Sequence, residues 1–270
     1  MNRREAMCVL GGGIASIAAK AWAAAPAKSA LGIVQYCLGH NRAWLRQQDA
    51  SHDLFDPMTL LAYCQELGAG GVQMRIGVRD DAYLTALREK AEQWGMFIEG
   101  IVSPPRDDDD VKRFDSELAA AKRAGASVVR TVVMPGRRYE RFDTLEAFKR
   151  FSDLARQSLE WAAPVARKHR VRVAVENHKD HRIDERVALL KHIDSEYVGA
   201  CVDTGNSIAL LEDPVDTATA LAPYAHSVHL KDQAVQPYDD GFLLGDIPLA
   251  GWMIDLRGVV SVLRKAQQTI

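Results

Sequence analysis

The chain has 270 residues, 47% hydrophobic and 26% charged, an ordinary globular composition able to fill one large core. Its net charge is −2 and it carries no basic stripe, which argues against DNA or RNA as a partner. No apolar stretch reaches the ~18–20 residues that a membrane-spanning helix needs.

Residues 1–25 read as an export signal and are set apart from the fold. Asn2-Arg-Arg-Glu5 supplies paired arginines, and an apolar, Gly/Ala-rich stretch runs from Ala6 to Ala19. Ala21-Trp-Ala-Ala-Ala-Pro-Ala27 then offers small residues suited to signal-peptidase cleavage. The segment resembles a twin-arginine signal and implies a periplasmic protein with no stable membrane insertion after cleavage. A Sec signal with incidental arginines, or simply an apolar N-terminus, are the other readings. Cys8 stands too early for a lipoprotein cysteine. The remaining Cys37, Cys64 and Cys201 are odd in number and form no CxxC pair, so they read as small core residues.

The folded domain is expected over residues 28–270, with strand and helix alternating at roughly the ~30 residues of a βαβ unit. Strands are predicted at Leu31–Cys37, Gly71–Arg75, Phe97–Val102, Ser127–Val133, Val171–Glu176, Val198–Asp203 and Ser227–Leu230. They are rich in Val and Ile, as parallel strands covered on both faces should be. Helices are predicted at Thr59–Leu67, Asp81–Trp94, Val111–Ala124, Thr144–Lys168, Asp184–His192, from Asp213-Pro214 to about Ala222, and at Leu256–Gln267. Asp143 with Glu146 reads as a capping box for the longest helix. Asp213-Pro214 reads as an N-cap followed by proline at the first helical position. The fold class is α/β, a (β/α)₈ barrel with about seven βα units present, the sequence ending where an eighth strand is expected.

Three strand ends carry the chemistry: Val173-Ala-Val-Glu-Asn-His178, Cys201-Val-Asp-Thr-Gly-Asn206 and Val228-His-Leu-Lys-Asp232. In a barrel of this kind the C-terminal ends of the strands bear the active site. Two carboxylates and an imidazole meeting there suit a hard or borderline divalent cation. Taken singly, Glu176 and Asp203 also read as surface charges past strand ends, and His229 as a core histidine. The three motifs, with Ile247-Pro-Leu-Ala-Gly-Trp-Met-Ile-Asp-Leu256, resemble the xylose isomerase-like TIM barrel superfamily of sugar isomerases and epimerases. The resemblance implies Glu176, Asp203 and His229 as metal ligands, with Mn²⁺ the first choice and Mg²⁺, Co²⁺ or Zn²⁺ as alternatives. A fourth ligand, a glutamate on the eighth strand, has no counterpart here.

The implied reaction is proton abstraction next to a carbonyl through an enediolate, with Glu176 as the base. His178, two residues on and on the same strand face, reads as a substrate-hydroxyl contact or as a group supporting the ligands from behind, and Asn206 as a hydroxyl contact or as an ordinary turn residue after glycine. Lys231 is set to neutralise an oxyanion or else to sit in solvent. Asp232 is read as an orienting group for His229 or Lys231. Arg75 and Arg130 stand near the ends of the second and fourth strands, as substrate clamps or as structural ion pairs. Arg137, Arg138 and Arg141 read as anion-binding or simply exposed, and His40 as facing the pocket or not. Asp107–Asp110 reads as a solvated run at a helix start. The implied partner is a sugar or keto-sugar, with homo-oligomerisation left open. A non-catalytic carbohydrate-binding relative and a lyase or dehydratase of the same superfamily are the competing functions. An apurinic-site endonuclease is disfavoured by the lack of a basic surface and of further metal ligands.

Overall fold

The computed structural model describes residues 31–249 and 253–266. The export signal and Cys8 lie outside the described residues, as do positions 250–252 and Gln267. The chain divides into two compact units, Met1–Val72 with Lys90–Phe97, and Gln73–Glu89 with Ile98–Ile270.

In the smaller unit β1 (Gly32–Val34) is short, because Gln35–Leu38 winds into a 3₁₀ turn. The expected strand Leu31–Cys37 is therefore cut by half, and Cys37 is exposed on that turn rather than packed in the core. The turn feeds α1 (Gly39–Gln48), a helix with no buried residue. Having no apolar stripe, it leaves no periodic signal in the sequence. His40 lies exposed on it. In α2 (Pro57–Glu66) the Asp56 carboxylate accepts from the N–H groups of Met58 (3.1 Å) and Thr59 (3.2 Å), with Pro57 opening the helix. Gly68 follows it at φ 75°, a left-handed position that glycine takes without penalty.

β2 (Gly71–Met74), α3 (Asp81–Gln93) and β3 (Phe97–Ile101) have residues in both units. The larger unit goes on with α4 (Val111–Arg123), β4 (Val128–Thr131), α5 (Leu145–His169), β5 (Arg172–Glu176), α6 (Ile183–Ile193), β6 (Val198–Asp203), α7 (Pro214–Leu221) and β7 (Ala225–His229). Sheet neighbours are sequence neighbours from β2 to β7, and the pairings from β3 to β7 are parallel. Each strand carries two sets of side chains. Val129, Val173, Val175, Ala200 and Val202 are buried together with the helix residues Phe114, Leu118, Leu159, Leu190 and Leu221. The alternate set includes Val128, Ala174 and Cys201, which cluster with one another. Two residues further along those strands stand Arg130, Glu176 and Asp203, sharing the same face.

The register between β6 and β7 slips by one residue: Ala200 faces Ala225, but Cys201 faces Ser227 and Asp203 faces His229. The extra residue is His226. The slip places Ser227 and His229 opposite Cys201 and Asp203; an uninterrupted pairing would bring His226 and Val228 there instead.

Local signals held or failed for identifiable reasons. Asp213 caps α7 as expected, accepting from the N–H groups of Val215 (2.7 Å) and Asp216 (3.0 Å). For α5 the cap is Thr144, whose hydroxyl accepts from the Ala147 N–H at 3.2 Å, and not an Asp143–Glu146 box. Thr144 is the extended residue directly before the first helical one, so its side chain reaches the open N–H groups. Asp110 departs from the solvated reading. It is buried, and both Arg106 and Arg113 bind its carboxylate, which they hold far below the usual carboxylate range. Asp107, Asp108 and Asp109 are exposed.

A hairpin follows β7: β8 (Asp232–Tyr238) and β9 (Gly241–Ile247) pair antiparallel around a two-residue Asp239–Asp240 loop. Its strands expose Val235, Tyr238, Phe242 and Leu243, a pattern that does not read as half-buried alternation. The last described element is α8 (Leu256–Ala266). No described helix is long and apolar enough to cross a membrane.

Candidate metal and catalytic site

The parallel strands of the larger unit end in polar residues, and seven of the eight expected site residues meet there. Arg130 leaves β4, Glu176 and His178 end β5, Asp203 and Asn206 end β6, and His229 and Lys231 end β7. Arg75 stands exposed just past the end of β2.

Glu176 is 2% exposed and fully engaged. The Arg130 Nε donates to its Oε2 at 2.5 Å, and the Asn206 Nδ2 donates to its Oε1 at 3.0 Å. His229 Nδ1 lies 3.4 Å from Oε2, and His178 Nε2 lies 3.9 Å from Oε1. Burial pushes this carboxyl upward, but His229, Arg130 and His178 together outweigh it and hold it below the usual range. A buried carboxylate in that state is a charged oxygen donor at neutral pH.

Asp203 is equally buried. Its Oδ1 accepts the backbone N–H groups of Gly205 and Asn206, both at 2.9 Å, which frees Oδ2 to face the site. Asn177 clamps the strand end from the side, donating to the Asp203 carbonyl at 2.9 Å and accepting its N–H at 2.8 Å. The Lys231 Nζ lies 3.3 Å from Oδ2 and donates to the Asn206 Oδ1 at 3.0 Å. Burial lowers the Lys231 ammonium, yet Asp203 and Asp246 more than reverse this, so it stays cationic. Lys231 is thus a paired site residue and not a solvated one. Asp232 serves neither His229 nor Lys231 with a hydrogen bond: its Oδ1 accepts from the Gln233 N–H at 2.9 Å, and its Oδ2 has no partner among the described residues.

Two donors bound to one ion at ~2.0–2.2 Å stand roughly 3–4 Å apart. The 3.4 Å from His229 Nδ1 to Glu176 and the 3.9 Å to the Asp203 Oδ2 meet that spacing. Glu176, Cys201 and His229 also offer ligand atoms within 4.8 Å of one another. Burial, with Glu176 nearby, raises the Cys201 thiol well above its ordinary value, which keeps it protonated and a poor ligand. His229 thus stands at ligand spacing from each carboxylate, while the three-residue group within 4.8 Å leaves Asp203 out, and Arg130 and Lys231 are cationic rivals for the same carboxylate oxygens.

Several supporting residues went unread in the sequence. Glu99 on β3 accepts at Oε2 from Gln73 Nε2 and from Ser227 Oγ, both at 2.8 Å, and Gln73 Oε1 meets His229 Nε2 at 2.9 Å. The available signal was an acid and an amide inside otherwise apolar strands. Behind His178, Arg186 is fully buried and its Nη2 donates to both oxygens of Asp180, at 2.8 and 2.6 Å. His181 joins them at 3.2 Å and in turn meets Ser152 at 3.0 Å. The His178 N–H donates to Asp180 at 3.3 Å, so this buried cluster fastens the loop that carries His178. Burial alone would push the Asp180 carboxyl upward, but Arg186 and His181 hold it well below the usual range. Arg137, Arg138 and Arg141 are held by Glu140, Glu185 and the Pro135 carbonyl, at 2.6, 2.7 and 3.1–3.2 Å.

A family model described as xylose isomerase-like TIM barrel matches residues 61–269. A curated relative, the uncharacterized protein YihM of Escherichia coli, is 25% identical over 165 residues, covering 61% of this chain and 47% of its own. The chain thus spans about half the length of that relative. Among solved structures, a xylose isomerase-like TIM barrel protein from Mycobacterium smegmatis in complex with magnesium is similar at TM-score 0.59 and 19% identity, over 76% of each chain. D-psicose 3-epimerase in the presence of D-fructose gives 0.59 and 14%, over 80% of this chain and 76% of that one. A probable 3-DHS dehydratase from Bacillus anthracis gives 0.60 and 16%, over 87% and 89%. At these identities the structures share the fold, and epimerases and a dehydratase stand among them.

Proposed function

Because the chain belongs to the xylose isomerase-like TIM barrel family, we propose that it is a divalent-metal-dependent isomerase or epimerase acting on a sugar or keto-sugar. The convergence of Glu176, Asp203 and His229 carries this reading. A cation held by these three would polarise a substrate carbonyl and lower the barrier to losing the adjacent proton. Mn²⁺ is the first choice for an oxygen-rich set with one imidazole, with Mg²⁺, Co²⁺ and Zn²⁺ as alternatives.

Glu176 takes the proton. It is charged, desolvated and held in a single orientation by Arg130 and Asn206, as a general base needs to be. Lys231 brings a fixed positive charge toward the oxygen that gains electron density. His178 is half-buried beside Glu176 and burial keeps its ring neutral, as a hydroxyl-binding imidazole needs to be. The signal-like N-terminus supports a periplasmic location, which would favour unphosphorylated sugars as substrates.

The test is depletion of divalent ions from the full chain, assay against a panel of ketoses and aldoses, and restoration with Mn²⁺. Activity should vanish and return, and Glu176→Gln should lower turnover about 10²–10⁴-fold. Full activity in the Glu176→Gln, Asp203→Asn double variant would end the proposal. The competing reading is a carbohydrate binder without catalysis, favoured by the grip of Arg130 on Glu176, which already neutralises the base. Sugar binding that is indifferent to Mn²⁺ and to both substitutions would select it. A dehydratase would share the proton abstraction but release water, which product analysis separates from isomerisation.

A further inference from the structure

Three strand residues outside the motifs, Gln73, Glu99 and Ser227, form a chain of hydrogen bonds that ends on His229. Gln73 and Ser227 are buried, and Glu99 is partly so, inside strands where a polar side chain is costly unless satisfied. We infer that Gln73 and Glu99 are positioning residues that fix His229 as its Nε2–H tautomer and so leave the Nδ1 lone pair facing Glu176 and Asp203.

The geometry leaves one consistent arrangement. The Glu99 Oε2 lies 2.8 Å from both Gln73 Nε2 and Ser227 Oγ and accepts from each. The Gln73 amide must therefore turn its NH₂ toward Glu99. Its carbonyl oxygen is left facing His229 Nε2 at 2.9 Å, and an oxygen that only accepts requires the hydrogen on that nitrogen. In the neutral ring the other nitrogen is then bare. That nitrogen, Nδ1, is the one 3.4 Å from Glu176 and 3.9 Å from Asp203.

The arrangement works against a local bias. Two carboxylates beside Nδ1 would by themselves draw the hydrogen to that side, giving an imidazole unable to bind a cation there. A hydrogen-bond partner on the far nitrogen sets the tautomer of a ligating histidine. The one-residue slip at His226 belongs to the same device, since it brings Ser227 to the Glu99 side. The consequence for metal affinity rests on the function proposed above, whereas the tautomer itself does not.

Long-range ¹H–¹⁵N correlation on the full-length, metal-free protein, well above the ~6.5 of an ordinary imidazole, reads the tautomer directly. His229 should carry its hydrogen on Nε2. Glu99→Gln, nearly the same shape but free to flip, should give a mixture. Gln73→Leu should shift the ring to Nδ1–H. Both variants should weaken Co²⁺ binding by calorimetry about 10–100-fold. A wild-type ring with hydrogen on Nδ1, or two folded variants that keep the wild-type tautomer, would overturn the inference. If Gln73→Leu fails to fold, the wild-type and Glu99→Gln spectra decide the matter. Wild-type protein with the expected tautomer but no Co²⁺ binding would leave the positioning role standing and remove the metal-dependent function instead.

Discussion

At the scale of single residues, the site is a balance of charges out of water. Arg130 pairs with Glu176 and Lys231 with Asp203, whose other oxygen accepts backbone N–H groups. Removing Arg130 should raise the Glu176 pKa, since the guanidinium beside this carboxylate helps to hold it down. In an Arg130→Gln variant the acid limb of the kcat/KM profile should move to higher pH, which a pH–rate series measures. The Asp180–Arg186 pair makes the same point for stability. Arg186 has no exposed surface, and its Nε and Nη1 already lack partners among the described residues. Asp180→Ala would strand a buried guanidinium, so denaturant unfolding should show a loss of about 3–5 kcal/mol. The loop carrying His178 should loosen with it.

At the scale of elements, backbone register decides which side chains reach the site. The slip at His226 turns Ser227 and His229 toward Cys201 and Asp203. It leans on Gly199, where an added Cβ would run into the Tyr224 carbonyl and the His226 ring. Gly199→Ala should thus cost about 1–3 kcal/mol by overpacking and should lower metal affinity through displacement of β7. Thermal melting and calorimetry on the one variant report both effects. Much of the element pattern was legible beforehand. β6 runs over the residues expected for it, and β5 differs by a single residue, because a run of Val and Ala closing on a charged residue marks a buried strand and its end. Asp213-Pro214 announced α7, and Asp56-Pro57 carries the same signal for α2, two residues before the expected start. The hairpin β8–β9 was missed, although an Asp-Asp-Gly run marks its turn, because Phe242, Leu243 and Leu244 break the period-two pattern.

For the whole molecule, acid should act in two stages. Burial, reinforced by the Arg172 charge, pushes the His226 ring down to about 4. The unfolded chain takes up that proton near ~6.5, so stability falls as pH drops from there to about 4. The depressed Asp180 carboxyl adds stability above ~3.9 that is lost only as pH falls further. Unfolding free energies measured from pH 7 to 3 should show both stages, and His226→Phe should flatten the first alone. A wild-type curve that is level between pH 6.5 and 4 would contradict this account.

The sequence by itself determined the barrel class, the order of its strands and the strand ends at which polar residues collect. Those follow from short-range facts: apolar runs that must be buried, turn residues that must break them, and charges that have to sit where a strand stops. It also named Glu176, Asp203 and His229, because polar residues closing buried strands stand out in one dimension. Tertiary structure alone decided what surrounds them. The pairing of Arg130 with Glu176 joins residues 46 apart, that of His229 with Gln73 residues 156 apart, and that of Ser227 with Glu99 residues 128 apart. No periodicity links such positions. Arg130 and Glu176 meet because neighbouring parallel strands set residues of like facing level with one another, whereas Gln73 and Glu99 lie on strands that do not pair with β7 and reach His229 and Ser227 only through side chains of the same sheet face, which one extra residue at His226 turns toward them.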